Sequence, residues 1–67
     1  MKLRLLRRKV IVTLKNNRSV MGVLWARAFG VWTLQKASVE SETGKMVPVD
    51  GEFIVLRENI QYVQVLP

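Results

Sequence analysis

The chain has 67 residues, with eleven Lys and Arg against five Asp and Glu for a net charge of +6, and it has neither His nor Cys. A domain this small buries only about 60% of its unfolded surface, and without Cys or His no disulfide and no thiolate or imidazole metal site can reinforce it, which leaves self-association. The same absences exclude Ser–His, Cys–His and zinc–water catalysis, so the sequence reads as a binding or assembly module, not an enzyme, with no cofactor.

Residues 1–8 set Leu3, Leu5 and Leu6 against a basic side, which predicts a short, basic N-terminal helix or arm that forms only by packing on the rest of the chain. Residues 1–39 hold nine basic side chains and no acid, five of them in Met1 to Lys9. Such a block can follow a phosphate backbone through counterion release, or it can be a solvated terminus. Arg4, Arg7, Arg8 and Lys9 also interrupt any apolar signal-peptide core. The longest uncharged apolar run, Val20 to Ala26, is far short of the ~20 residues of a membrane span. A soluble cytoplasmic protein without a membrane partner is expected.

Val10, Val12 and Leu14 then alternate with Ile11 and Thr13, a β-branched strand. Asn16-Asn17 supplies two residues that tolerate positive φ, as a tight hairpin requires. Ser19 to Ala26 is the return strand, and Gly22 inside it marks a strong bend or a close backbone approach. Ala28-Phe29-Gly30 turns into a third strand, Val31 to Val39, with Trp32 and Leu34 on one face and Thr33 and Gln35 on the other. Ser41 to Lys45 is a polar loop. Met46 to Val49 is expected to end an extended connection, because Pro48 cannot donate to a central ladder. Asp50-Gly51 leads into a fourth strand, Phe53 to Leu56. Arg57-Glu58-Asn59 is a very short connection to a last strand, Ile60 to Leu66, in which Ile60, Tyr62 and Leu66 alternate with Gln61 and Val63. Glu40, Glu42, Asp50, Glu52 and Glu58 stand beside turn formers or on polar strand positions, as solvated charge.

Five short strands on tight hairpins predict an all-β fold whose sheet closes into a barrel, because an open sheet of this size would leave one face unburied. The expected architecture is a short helix or arm over residues 1–8, followed by a five-stranded, strongly bent antiparallel barrel over 9–67. Phe53, Ile54, Val55 and Leu56 are continuously apolar, and Tyr62, Val63 and Val65 nearly so, with few of the charges that protect a sheet edge. Unprotected edges predict strand addition between copies, which would also supply the stability a lone barrel lacks.

The order of these pieces resembles the Sm and Sm-like (LSm) family, an SH3-like barrel behind a short N-terminal helix. The first Sm motif is matched by Val10-Ile-Val-Thr-Leu14, Gly22-Val-Leu24, Trp32-Thr-Leu34 and Ala37. The second is matched by Gly51, Phe53-Ile-Val55 and Ile60-Gln-Tyr-Val63. The similarity covers residues 9–66, and Val49-Asp-Gly-Glu52 with Tyr62-Val-Gln-Val65 also resembles Sm-like proteins of bacteriophages. The resemblance implies a homo-oligomeric ring of five to seven subunits, in which the fourth strand of one copy pairs with the fifth of the next. It also implies RNA or other single-stranded nucleic acid as a partner.

The residues depart from the family at its uridine pocket. RNA-binding members carry Asp and Asn in the turn between the second and third strands and Arg-Gly in the turn between the fourth and fifth. Here those turns read Trp25-Ala-Arg-Ala-Phe-Gly-Val31 and Val55-Leu-Arg-Glu-Asn-Ile60. Arg27, Phe29, Arg57 and Asn59 occupy the two turns instead, and arginine beside an aromatic is a sequence-tolerant way to hold single-stranded nucleic acid. Equally, Phe29 could cap the barrel or meet a neighbouring subunit, with Arg27 and Arg57 solvated or paired with Glu58. Trp25 and Trp32 are expected to fill the core or an interface. Two functions follow: a ring that binds nucleic acid non-specifically through Arg27, Phe29, Arg57, Asn59, Arg4, Arg7, Arg8 and Lys9, or a structural or protein-interaction ring without nucleic-acid binding.

Overall fold

The alternation after Arg8 becomes strand β1 (Lys9–Leu14), which buries Val10 and Val12 completely. In the computed structural model, which describes residues 6–67, it is followed by β2 (Ser19–Ala28), β3 (Val31–Glu40), β4 (Met46–Pro48), β5 (Phe53–Leu56), a 3-10 turn over Arg57–Asn59, and β6 (Ile60–Val65). All strands belong to one antiparallel sheet ordered β4-β3-β2-β1-β6, with β5 also on β3. Of the two asparagines in the first hairpin only Asn17 takes positive φ (68°), while the Asn16 side chain accepts the Arg18 N–H at 3.0 Å. Both devices are typical of asparagine in turns.

The curvature comes from two features of β3. Its first half, Val31 to Leu34, pairs with β5, and its second half, Ser38 to Glu40, pairs with β4. Between them Lys36 has φ +52°, a left-handed value that breaks the pleat. Directly across, the β2 register shifts between Met21 and Val23, at Gly22. A Cβ there would stand 3.1 Å from the Gln35 carbonyl oxygen and 3.2 Å from the Ala37 Cα, so the bend needs glycine for the approach of the two backbones. The sheet folds over a core of Val10, Val12, Val20, Leu24, Leu34, Ala37 and Val55, with Trp32, Phe53, Ile60, Val63 and Val65 packed around it.

Three expectations are corrected. The N-terminal helix is not found in its described part: Leu6 and Arg7 form a turn with Arg7 at φ +66°, a value foreign to a right-handed helix, while residues 1–5 lie outside the described residues. Met46 to Val49 is not merely a connection, since Met46–Pro48 pairs with β3 as an edge strand. Pro48 is tolerated there because an edge strand has a side that needs no donor. In β6 the inward residues are Ile60, Val63 and Val65, and Tyr62 is exposed. The register against β1 shifts between Thr13 and Leu14, so Gln61 is an extra residue and the alternation changes phase after Ile60. Among the described residues, no helix is long and apolar enough to cross a membrane.

Candidate functional site

Ala28 pairs with Val31, which leaves Phe29-Gly30 as a two-residue hairpin loop. Both have positive φ, 51° and 76°, the pattern that the right-handed twist of the flanking strands selects. That backbone projects Phe29 wholly into solvent, at 104% relative exposure. The neighbouring turn is fastened to this one, because the Arg57 N–H donates to the Gly30 carbonyl at 2.8 Å. Arg27 and Arg57, with Ala28, Gly30 and Trp32, therefore line one shallow recess of about 300 Å³. The Arg27 guanidinium carbon lies 5.7 Å from the Trp32 ring centroid. Among the described residues neither guanidinium has a carboxylate or hydrogen-bond partner, and Arg57 does not pair with Glu58.

A second basic cluster forms where the chain enters β1. The Arg7 N–H donates to the Leu24 carbonyl at 2.6 Å and the Leu24 N–H to the Arg8 carbonyl at 3.0 Å, which docks this segment on β2. The Arg7 guanidinium then sits 4.3 Å from the Trp25 centroid, close enough for a cation–π contact. The Arg8 side chain donates to the Leu66 carbonyl at 3.2 Å, and the Leu66 N–H donates to the Lys9 carbonyl at 2.9 Å. Trp25 does not fill the core: it is 40% exposed beneath Arg7. Period two from the inward Leu24 already puts Trp25 on the outer face, and that signal outranks the general tendency of tryptophan to be buried. Trp32, by contrast, packs against the core as expected.

The residues singled out in the sequence thus fall into separate places. Arg27 and Arg57 share the recess, whereas Phe29, although it stands in the chain between the lining residues Ala28 and Gly30, is not one of the residues that line it. Arg7, Arg8 and Lys9 are gathered at the start of β1, while Arg4 lies outside the described residues. Asn59 lines a different depression with Leu14, Lys15 and Asn16, and its carbonyl accepts the Lys15 N–H at 2.9 Å. No cluster of three or more carboxylates able to hold a metal ion occurs among the described residues.

Two strands that flank the core, β5 and β6, each have a free side among the described residues. Among the described residues β5 pairs only with β3 and β6 only with β1. Val55 is buried and Phe53, Val63 and Val65 are half-buried against the core. Ile54, Leu56 and Tyr62 are 62%, 44% and 56% exposed, so three large apolar side chains stand on these two strands without cover. Apolar side chains on an open edge are a template for another strand.

No family model matches this sequence, and no curated protein matches it. Solved structures do resemble it. A heptameric archaeal Sm protein matches with a TM-score of 0.81 at 20% identity, over 94% of this chain and 91% of that one. The P. aerophilum SmAP1 heptamer matches with the same TM-score and identity, over 94% of this chain and 84% of that one. A SmAP (LSm) protein from Methanococcus vannielii matches with a TM-score of 0.69 at 28% identity, over 90% of this chain and 81% of that one. The fold of the chain is the Sm fold, as the two sequence motifs imply.

Proposed function

We propose that the chain assembles into a homo-oligomeric Sm-like ring of five to seven subunits that holds RNA or another single-stranded nucleic acid and performs no catalysis. The observation that carries this reading is the hydrogen bond from the Arg57 N–H to the Gly30 carbonyl. It joins the two turns so that each subunit presents two guanidiniums at one recess, without a carboxylate partner among the described residues, and the exposed Phe29 belongs to the same hairpin loop as Gly30. Guanidinium groups attract phosphates and an aromatic face stacks on any base, a pairing suited to binding without sequence readout. Ring assembly is supported by the open edges of β5 and β6, by the uncovered Ile54, Leu56 and Tyr62, and by the heptameric state of two structural neighbours. The cluster of Arg7, Arg8 and Lys9 adds positive charge at the start of β1.

Gel filtration with light scattering is expected to give a mass five to seven times that of one chain. Labelled oligo-U, oligo-A and single-stranded DNA are expected to bind at low salt, with affinity falling steeply as salt rises. Replacing Arg27 and Arg57 by Ala is expected to weaken binding more than replacing Arg7 and Arg8. A stable monomer at micromolar concentration refutes the ring. Absence of binding at low salt refutes the nucleic-acid reading and leaves a structural or protein-interaction ring.

A further inference from the structure

The side chains that line the recess between the two turns carry hydrogen-bond donors and no acceptor. Arg27 and Arg57 each present a planar fork of N–H groups and no acceptor, and the Trp32 indole adds a donor and a flat face. Ala28 and Gly30 contribute no polar side chain, and the Gly30 carbonyl already accepts the Arg57 N–H at 2.8 Å. Uracil has the acceptors O2 and O4, but they flank the N3–H donor, so a guanidinium fork set against that edge meets a donor between them. It also meets adenine and cytosine badly, because both show an amino donor toward the guanidiniums. Guanine offers two adjacent acceptors, O6 and N7, on an edge that carries no amino group, and the arginine fork matches that pair bidentately; the corresponding pair of cytosine, O2 and N3, is hemmed in by the N4 amino donor on one side and the ribose on the other.

The two cation–aromatic contacts differ in a way that bears on this. Arg7 lies 4.3 Å from the Trp25 centroid, whereas Arg27 lies 5.7 Å from that of Trp32. A base inserted between guanidinium and indole needs two stacking separations of about 3.4 Å each. The Arg27 pair must therefore open by only about 1 Å, a small swing for a flexible, unpaired side chain. The tighter Arg7 pair must open by more than twice as much.

Resting on the reading that these turns hold single-stranded nucleic acid, we propose that the recess is guanine-selective: the base stacks between Trp32 and Arg27, and Arg57 takes its O6 and N7. The selectivity differs from that of the uridine pocket of RNA-binding Sm members, whose Asp, Asn and Arg-Gly this chain lacks. The test is fluorescence anisotropy on the assembled protein with three RNA octamers of equal charge: alternating guanosine and uridine, alternating cytidine and adenosine, and oligo-U. The guanosine octamer is expected to bind at least about fivefold tighter than the other two, the low end of what one bidentate base contact supplies. Replacing each guanine by 7-deazaguanine, which lacks the N7 acceptor, is expected to remove that advantage. Arg57→Lys keeps the charge and loses the fork, so the preference should collapse while the salt dependence is retained. Equal binding of the three octamers, tighter binding of oligo-U, or indifference to 7-deazaguanine overturns the proposal and leaves non-specific binding standing. Failure of all three to bind at low salt overturns the nucleic-acid reading and this proposal with it.

Discussion

Phe29 is a bulky residue at φ +51° whose ring touches solvent on every side. In the left-handed region an ordinary L-residue is about 1–2 kcal/mol worse than in the right-handed one, and asparagine is among the residues that tolerate it. Because the ring is wholly exposed within the chain, replacing it removes no packing contact. Phe29→Asn should therefore gain about 1 kcal/mol of stability, which in a domain of this size raises Tm by about 4–8 °C. The same change removes a stacking face, and such faces are worth about 1–3 kcal/mol per base, or roughly 5- to 150-fold in affinity. Thermal unfolding followed by circular dichroism, at one fixed protomer concentration because assembly contributes to Tm, should show the gain. Anisotropy with a labelled single-stranded octamer should show the loss. A fall in Tm together with a fall in particle mass would refute the reasoning, since it would place the Phe29 ring against a neighbouring copy and not in reach of a ligand.

Gly22→Ala should destabilise by about 1–2 kcal/mol in urea titrations, because the overpacking against Gln35 and Ala37 exceeds the ~0.4–1 kcal/mol gained from a stiffer unfolded chain. Leu34→Ala empties a fully buried site at the centre of the core and should cost about 2–5 kcal/mol in the same assay, enough to unfold much of the protein. Leu56→Lys places a charge on the open β5 edge, where the side chain is 44% exposed, and should reduce the particle mass in light scattering while far-ultraviolet circular dichroism keeps its β signature. Arg7→Ala lifts the guanidinium from the exposed indole of Trp25 and should raise the quenching of tryptophan emission by added iodide, with the remaining indole, Trp32, unaffected.

The strands were readable because period two is an unambiguous signal where β-branched residues carry it. Val10, Val12 and Leu34 lie inward on faces that the alternation marks, whereas Val55, read as part of a continuously apolar edge, is buried in the core. Gly22 announced the bend, and the close approach to Gln35 and Ala37 is its cause. What the sequence concealed was every change of phase. The extra residue near Gln61 turns Tyr62 outward, and the left-handed Lys36 splits β3 into halves that serve different partners. Bulges of this kind depend on how two strands meet across space, and neither strand alone carries a mark of them. Arg27 and Arg57 could be assigned to two turns, yet their meeting in one recess depends on the long-range bond from the Arg57 N–H to the Gly30 carbonyl.

That bond also couples assembly to the recess. Arg57 follows directly on Leu56, the last residue of a strand paired on one side only, and its N–H reaches the loop that carries Phe29. In the proposed ring a neighbouring copy occupies the open side of β5, so the strand that positions Arg57 is held from both sides, while in a lone subunit it is held from one. An isolated subunit then presents the same residues with Arg57 less firmly placed, and part of the affinity for ligand is spent on ordering it. By thermodynamic linkage the reverse must also hold, and a ligand that engages Arg57 favours the assembled state by the same free energy with which assembly favours the ligand. Among the described residues seven apolar side chains are buried in each subunit, so in the proposed ring the seams between copies and a ligand at the turns would stabilise one another.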